Sequence, residues 1–102
     1  MMMVEEFKKE VTSWSDDVGI KPKEIHVRKM SRKWASCSSK GRLTFSFELL
    51  EQSFEDRAKA IVHELLHLRY PNHGEMFKSM LSHHLDKKGI KHVHTIEAHQ
   101  IC

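Results

Sequence analysis

Residues 63–67 read His-Glu-Leu-Leu-His, and this pentapeptide constrains the chain more than any other segment. It lies in a run where Ala58, Ile61, Val62, Leu65, Leu66 and Leu68 recur at helical spacing. On a helix, residues four apart are separated by about 40° in azimuth and about 6 Å along the axis. His63 and His67 therefore share a face, and the opposite residues Ile61, Val62, Leu65 and Leu68 can be buried in a core. Glu64 is rotated about 100° from His63. The segment demands a helix that is apolar on one side and chemically equipped on the other.

Two imidazoles so placed can both reach one metal ion at about 2.0–2.1 Å. A carboxylate beside the ion, rather than on it, can take a proton from a water there. With nine His and ten Glu in 102 residues, chance supplies about 0.07 copies of this pattern in such a chain. A hydrolytic zinc site needs three protein ligands and one open position. His73, just beyond the break at Tyr70-Pro71-Asn72, is the candidate third ligand. Glu75 is its rival, although its position three residues after Asn72 suits a capping box. The set reads as one catalytic Zn2+ on His63, His67 and His73, with Glu64 as general base and Tyr70 as a candidate oxyanion donor. Amide hydrolysis is the reaction this arrangement serves best, so a peptide or protein substrate is expected.

The rest of the chain supplies a frame. Val4, Phe7, Val11, Trp14 and Val18 step by three or four, which predicts a helix stopped by Gly19. Glu24–Met30, Trp34–Ser38 and Arg42–Ser46 read as short strands, the last two joined by Ser39-Lys40-Gly41. Ser53 is a candidate N-cap for the helix carrying the pentapeptide, and Pro71 ends that helix region. Asn72 with Glu75 predicts the start of a further helix, with His73 at its first position and Met76, Phe77, Met80, Leu81, His84 and Leu85 on its core side, closed by Lys87, Lys88 and Gly89. The class is α+β: an N-terminal helix, a small three-stranded, mainly antiparallel sheet, an active-site helix and a second C-terminal helix.

Length and charge exclude several alternatives. A chain of 102 residues supports one domain, 1–102. Seventeen Lys and Arg against fourteen Asp and Glu give a net charge of +3, too weak a bias to imply a nucleic-acid partner. Glu5, Glu6, Lys8, Lys9 and Glu10 leave no room for a secretory apolar segment, and no stretch is long enough to cross a membrane, so a cytoplasmic address is expected. Cys37 reads as a small buried thiol on a strand. Trp34 reads as core or cleft wall, and His26 and His83 as surface residues.

The strings Trp-Ala-Ser-Cys-Ser-Ser-Lys-Gly-Arg-Leu-Thr-Phe at 34–45 and His-Glu-Leu-Leu-His-Leu-Arg-Tyr-Pro-Asn-His-Gly-Glu-Met-Phe at 63–77 resemble the minigluzincins. These are short soluble zinc metallopeptidases, similar to the catalytic domains of membrane-bound gluzincin-type peptidases. The resemblance implies a minimal zincin-like fold, His63 and His67 as zinc ligands, Glu64 as general base and His73 as third ligand. His73 departs from the wider gluzincin group, which uses Glu there. It also implies latency, through a C-terminal segment that covers the cleft. Residues 90–102 hold His92, His94, His99 and Cys102, so this tail is a candidate inhibitory segment, with His99 and Cys102 as extra metal contacts, in a monomer or a tail-exchanged dimer. The activity implied is that of an endopeptidase isolated as a zymogen. Two competing readings are a zinc protein whose site is structural or capped, and a DNA-associated protease. The latter rests on the local similarity of His73-Gly74-Glu75-Met76-Phe77 to SprT-like metalloproteases.

Overall fold

The structure, a computed structural model, describes residues 2–31 and 33–90. The elements run α1 (Val4–Val18), β1 (Glu24–Arg28), β2 (Ala35–Cys37), β3 (Arg42–Ser46), a 3-10 turn (Phe47–Glu51), α2 (Phe54–His67) and α3 (Glu75–Lys87). The expected α+β class holds.

Helix α1 begins where the Met3 N–H donates to Glu6 Oε1 at 3.1 Å. It ends at Gly19, whose φ of 79° lets its N–H turn back to Ser15 O at 2.8 Å. The buried Ser15 Oγ donates to Ile20 O at 2.7 Å, which fixes the exit towards β1. Strand order in the sheet is β1-β3-β2. β2 and β3 form the antiparallel hairpin expected from their short connection, with Ala35 opposite Phe45 and Cys37 opposite Leu43. β1, however, runs parallel to β3, pairing Glu24 with Arg42 through Arg28 with Ser46. The sheet is therefore mixed rather than mainly antiparallel. The segment between β1 and β2 carries the chain across β3 instead of folding straight back, and short-range sequence patterns do not encode that choice.

Leu43 and Phe45 of β3 are buried under the helices. The Phe45 ring meets Phe7 of α1 edge-on, with centroids 5.0 Å apart. Helix α2 packs against α1, β2, the 3-10 turn and α3. Its first turn is capped by Ser53 Oγ, which accepts from the Asp56 N–H at 3.2 Å. A mostly buried two-pronged ion pair, Arg57 Nε to Glu10 Oε1 at 2.8 Å and Nη2 to Oε2 at 3.2 Å, ties that turn to α1. No helix among the described residues is long and apolar enough to cross a membrane.

Helix α3 departs from expectation at its start. Its N-cap is Gly74, not Asn72, and His73 precedes the helix instead of opening it. Phe77, Leu81, His84 and Leu85 form the buried stripe. Met76, expected in the core, is 59 % exposed, because it falls one position off that stripe. Met80 is half-buried at its edge.

His84 is only 6 % exposed, and its Nε2 has no hydrogen-bond partner among the described residues. It is thus a core histidine, but not a fully satisfied one. Burial holds its pKa below the ordinary 6.5, His83 and Lys87 push the same way, and Asp17 opposes them. A histidine depressed on folding binds fewer protons in the native state than in the unfolded chain. Its neutral form therefore supports the fold at neutral pH, and that support is lost as pH falls below about 6.5. Thermal unfolding of chelator-treated protein, followed by circular dichroism, should show the midpoint falling as pH drops below about 6.5. His84→Leu should flatten that fall relative to the parent chain. Parallel curves would show that His84 does not carry it.

Candidate metal centre

Helix α2 contributes the first two imidazoles and the carboxylate. Residues Ile61 to Leu66 are all buried, His63 and Glu64 among them, and Glu64 is 0 % exposed. Such a run wraps more than a full helical turn, so the middle of α2 has core on every side. His67, at the last helical residue, is half-buried.

Past His67 the chain tightens. Leu68 N–H donates to Leu65 O, and Arg69 and Tyr70 N–H both donate to Leu66 O, the latter at 2.7 Å. Pro71 then prevents continuation, and the chain returns to place the exposed His73 against the same face. His67 Nε2 and His73 Nε2 lie 2.8 Å apart. The His63 ring is 4.8 Å from that of His67 and 5.0 Å from that of His73, centroid to centroid.

One potential ligand atom from each of His63, His67 and His73 falls within 4.8 Å of the others. Two tetrahedral bonds of about 2.05 Å would set nitrogens about 3.3 Å apart, between the contact seen for His67–His73 and this outer limit. Among the described residues the donor set is three imidazoles, which suits zinc and other first-row divalent ions and not calcium or magnesium. The two nitrogens at 2.8 Å can share an N–H···N bond, and in the tautomers that leave both Nε2 lone pairs free they can face one cation. The residues present fit a bound transition-metal ion. Glu75, the rival ligand, is exposed in the first turn of α3 and is not part of the group.

Phe77 is the residue whose part sequence reasoning missed. Its ring lies 5.0, 4.9 and 4.8 Å from those of His63, His67 and His73. It is an apolar floor on which all three imidazoles rest, and it fixes their planes by packing. Its position four residues after His73 was the available signal, but it reads equally well as ordinary core. Tyr70 is half-buried and packs against the core. Trp34 does the same next to β2. His99 and Cys102, the candidate contacts from the tail, lie outside the described residues, as do His92 and His94.

Residues 2–94 match the family model of the YgjP-like metallopeptidase domain. Among solved structures, the fold is similar to that of the metallopeptidase zymogen abylysin from Pyrococcus abyssi. The TM-score is 0.67 at 21% identity, over 74% of this chain and 76% of that one. No curated protein matches the chain.

His73 supplies one of three donors from an exposed loop, so its removal should spare the fold. His73→Ala should keep the metal-free melting curve of the parent. It should weaken zinc binding by more than about 100-fold, the upper range for merely losing an outer partner of a ligand. Competition with a chromophoric chelator measures this, and unchanged affinity would remove His73 from the ligand set.

Proposed function

The chain belongs to the YgjP-like metallopeptidase domain family, and on that premise we propose that it is a zinc endopeptidase held latent by its own C-terminal segment. Its substrates are peptides or proteins, as the family implies. The observation that carries the reading is the convergence of His63, His67 and His73 on one point, with Glu64 buried on the same helix.

Zinc held by the three imidazoles supplies Lewis acidity to the scissile carbonyl and lowers the pKa of a water at the site. Glu64 then works as the proton carrier. Its carboxylate takes a proton as the water oxygen bonds to the carbonyl carbon. It returns that proton to the amide nitrogen as the carbon–nitrogen bond breaks. A fully buried carboxylate suits this task, because it is shielded from bulk water and held by the packing of α2. His63 is buried and His73 exposed, so substrate approaches from the His73 side.

In Glu64→Gln the amide keeps the shape but cannot accept a proton. Turnover of a peptide substrate by zinc-loaded protein should fall by at least about 100-fold, the lower range for general-base catalysis. Zinc content should stay at one ion per chain. Undiminished turnover would exclude Glu64 as the base.

Latency is assigned to residues 91–102, which include His92, His94, His99 and Cys102. The similar abylysin structure is described as a zymogen. Within this reading 1–102 is one peptidase domain with an appended inhibitory tail, soluble in the cytoplasm as a monomer or a tail-exchanged dimer. Ile90 is buried in the core, so a cut that spares the fold comes after it. A chain ending at Ile90 should hydrolyse casein faster than the full chain does. A folded, zinc-loaded truncation with no gain would contradict latency.

A further inference from the structure

Next to the three imidazoles lies an open groove of about 620 Å³, and His67 itself forms part of its wall. Three separate segments line the remainder. The α1–β1 connection brings Lys21 and Lys23, the β2–β3 turn brings Lys40, and the chain just past α2 brings Arg69. Among the described residues no Asp or Glu lines it. All four cations are exposed. The ion pairs among the described residues join Glu24 to His26 and Arg42, Arg57 to Glu10, and Lys88 to Asp17, and none of them uses these four. A single sign of charge is not general on this surface. A groove of about 610 Å³ on α1 mixes Glu6, Glu10 and Asp17 with Lys9 and Lys88.

The walls of the basic groove are also tied together. Lys23 and Glu24 N–H both donate to Gly41 O, at 2.8 and 3.4 Å. Ser38 Oγ accepts from the N–H of Lys40 at 3.3 Å and of Arg42 at 3.2 Å. Gly41 has φ +91°, a backbone conformation that residues with a Cβ rarely adopt, and a Cβ there would press on Lys23 Cγ at 3.1 Å, so glycine suits this close approach of the two segments. Lys23 and Lys40 thus stand on backbone segments that are tied to each other through Gly41 and Ser38. A concave surface lined by one sign of charge concentrates the opposite sign within it.

We infer that this groove is a substrate subsite that selects carboxylate-bearing peptides. The anion sits among Lys21, Lys23, Lys40 and Arg69 while the peptide backbone crosses the imidazoles. The carboxylate is either an Asp or Glu side chain near the scissile bond or the free C-terminus of the peptide. The inference rests on the metal centre being the place of reaction, but binding reads it out without turnover.

The test uses full-length protein and, in parallel, the chain ending at Ile90, whose cleft the tail cannot cover, with fluorescein-labelled peptides of equal length; the outcomes are read on whichever form binds peptide. One is amidated and carries Glu and Asp, its partner is amidated with Gln and Asn at those positions, and a third is the Gln/Asn peptide with a free C-terminus. Fluorescence anisotropy gives Kd for each. At low salt the best carboxylate peptide should bind about tenfold more tightly than the amidated Gln/Asn peptide, and about 0.5 M salt should erase most of that difference. Combining Lys21→Gln, Lys23→Gln, Lys40→Gln and Arg69→Gln should abolish the preference, with the melting curve unchanged. A preference for the Glu/Asp peptide assigns the anion to a side chain, and a preference for the free acid assigns it to the C-terminus. The same series runs on chelator-treated protein. A preference that persists there supports the groove even if the catalytic reading fails, and one that vanishes belongs to the ion and overturns the inference. Equal affinities overturn it as well, as does a preference that survives in the fourfold variant. A single-stranded oligonucleotide that binds more tightly than every peptide would also overturn it, by showing that the cations read phosphate.

Discussion

Burial of the middle of α2 on every side is the constraint from which the molecule follows. A helix surrounded by α1, β2, the 3-10 turn and α3 is held rigidly, and it must nevertheless carry His63 and Glu64 inside. Burying an imidazole and a carboxylate costs free energy unless their polar atoms are satisfied. Ala58, Ile61, Val62, Leu65 and Leu66 offset that cost by filling the rest of the circumference. The Arg57–Glu10 pair and the Ser53 cap anchor the start of the helix against α1. The end of the helix, where His67 stands, is left at the surface. One element thereby runs from an anchored start, through a buried middle, to an end at the surface.

The pieces around the helix end divide the work between packing and charge. Phe77 sets the three imidazole planes through ring contacts, and α3 in turn holds Phe77 through its buried stripe. His73 reaches the same point from a loop that Pro71 forces out of helix. The rim of cations beyond His67 stands on a hairpin and a connection stitched together at Gly41. The family match agrees with a peptidase, and the three converging imidazoles agree with a bound metal ion.

Local sequence carried the parts that local physics decides. Helical spacing marked α1 and α2, Ser53 marked the cap, Gly19 and Gly41 marked positive φ, and the pentapeptide marked two of the three converging histidines. His73 was legible because a turn at Pro71 could bring it back, and the structure places it there. What stayed hidden depends on contacts between distant residues. The parallel pairing of β1 with β3 is a choice among partners, and the short connections of this chain do not reveal it. Asn72 satisfied the spacing of a capping box, but the chain stays bent and non-helical through His73, which faces α2, and the helix starts at Glu75. Met76 looked like core because apolar type alone does not locate a stripe edge. Phe77 as a floor, and four cations from three segments around one groove, become visible only once the chain is folded.

The most direct measurement is X-ray absorption at the zinc edge on full-length protein loaded with one equivalent of zinc, compared with the His63→Ala, His67→Ala and His73→Ala variants. The account requires three imidazole nitrogens at about 2.0–2.1 Å in the parent and one imidazole fewer in each variant. A spectrum with fewer than three imidazoles in the parent, or one left unchanged by any of the three substitutions, would contradict it.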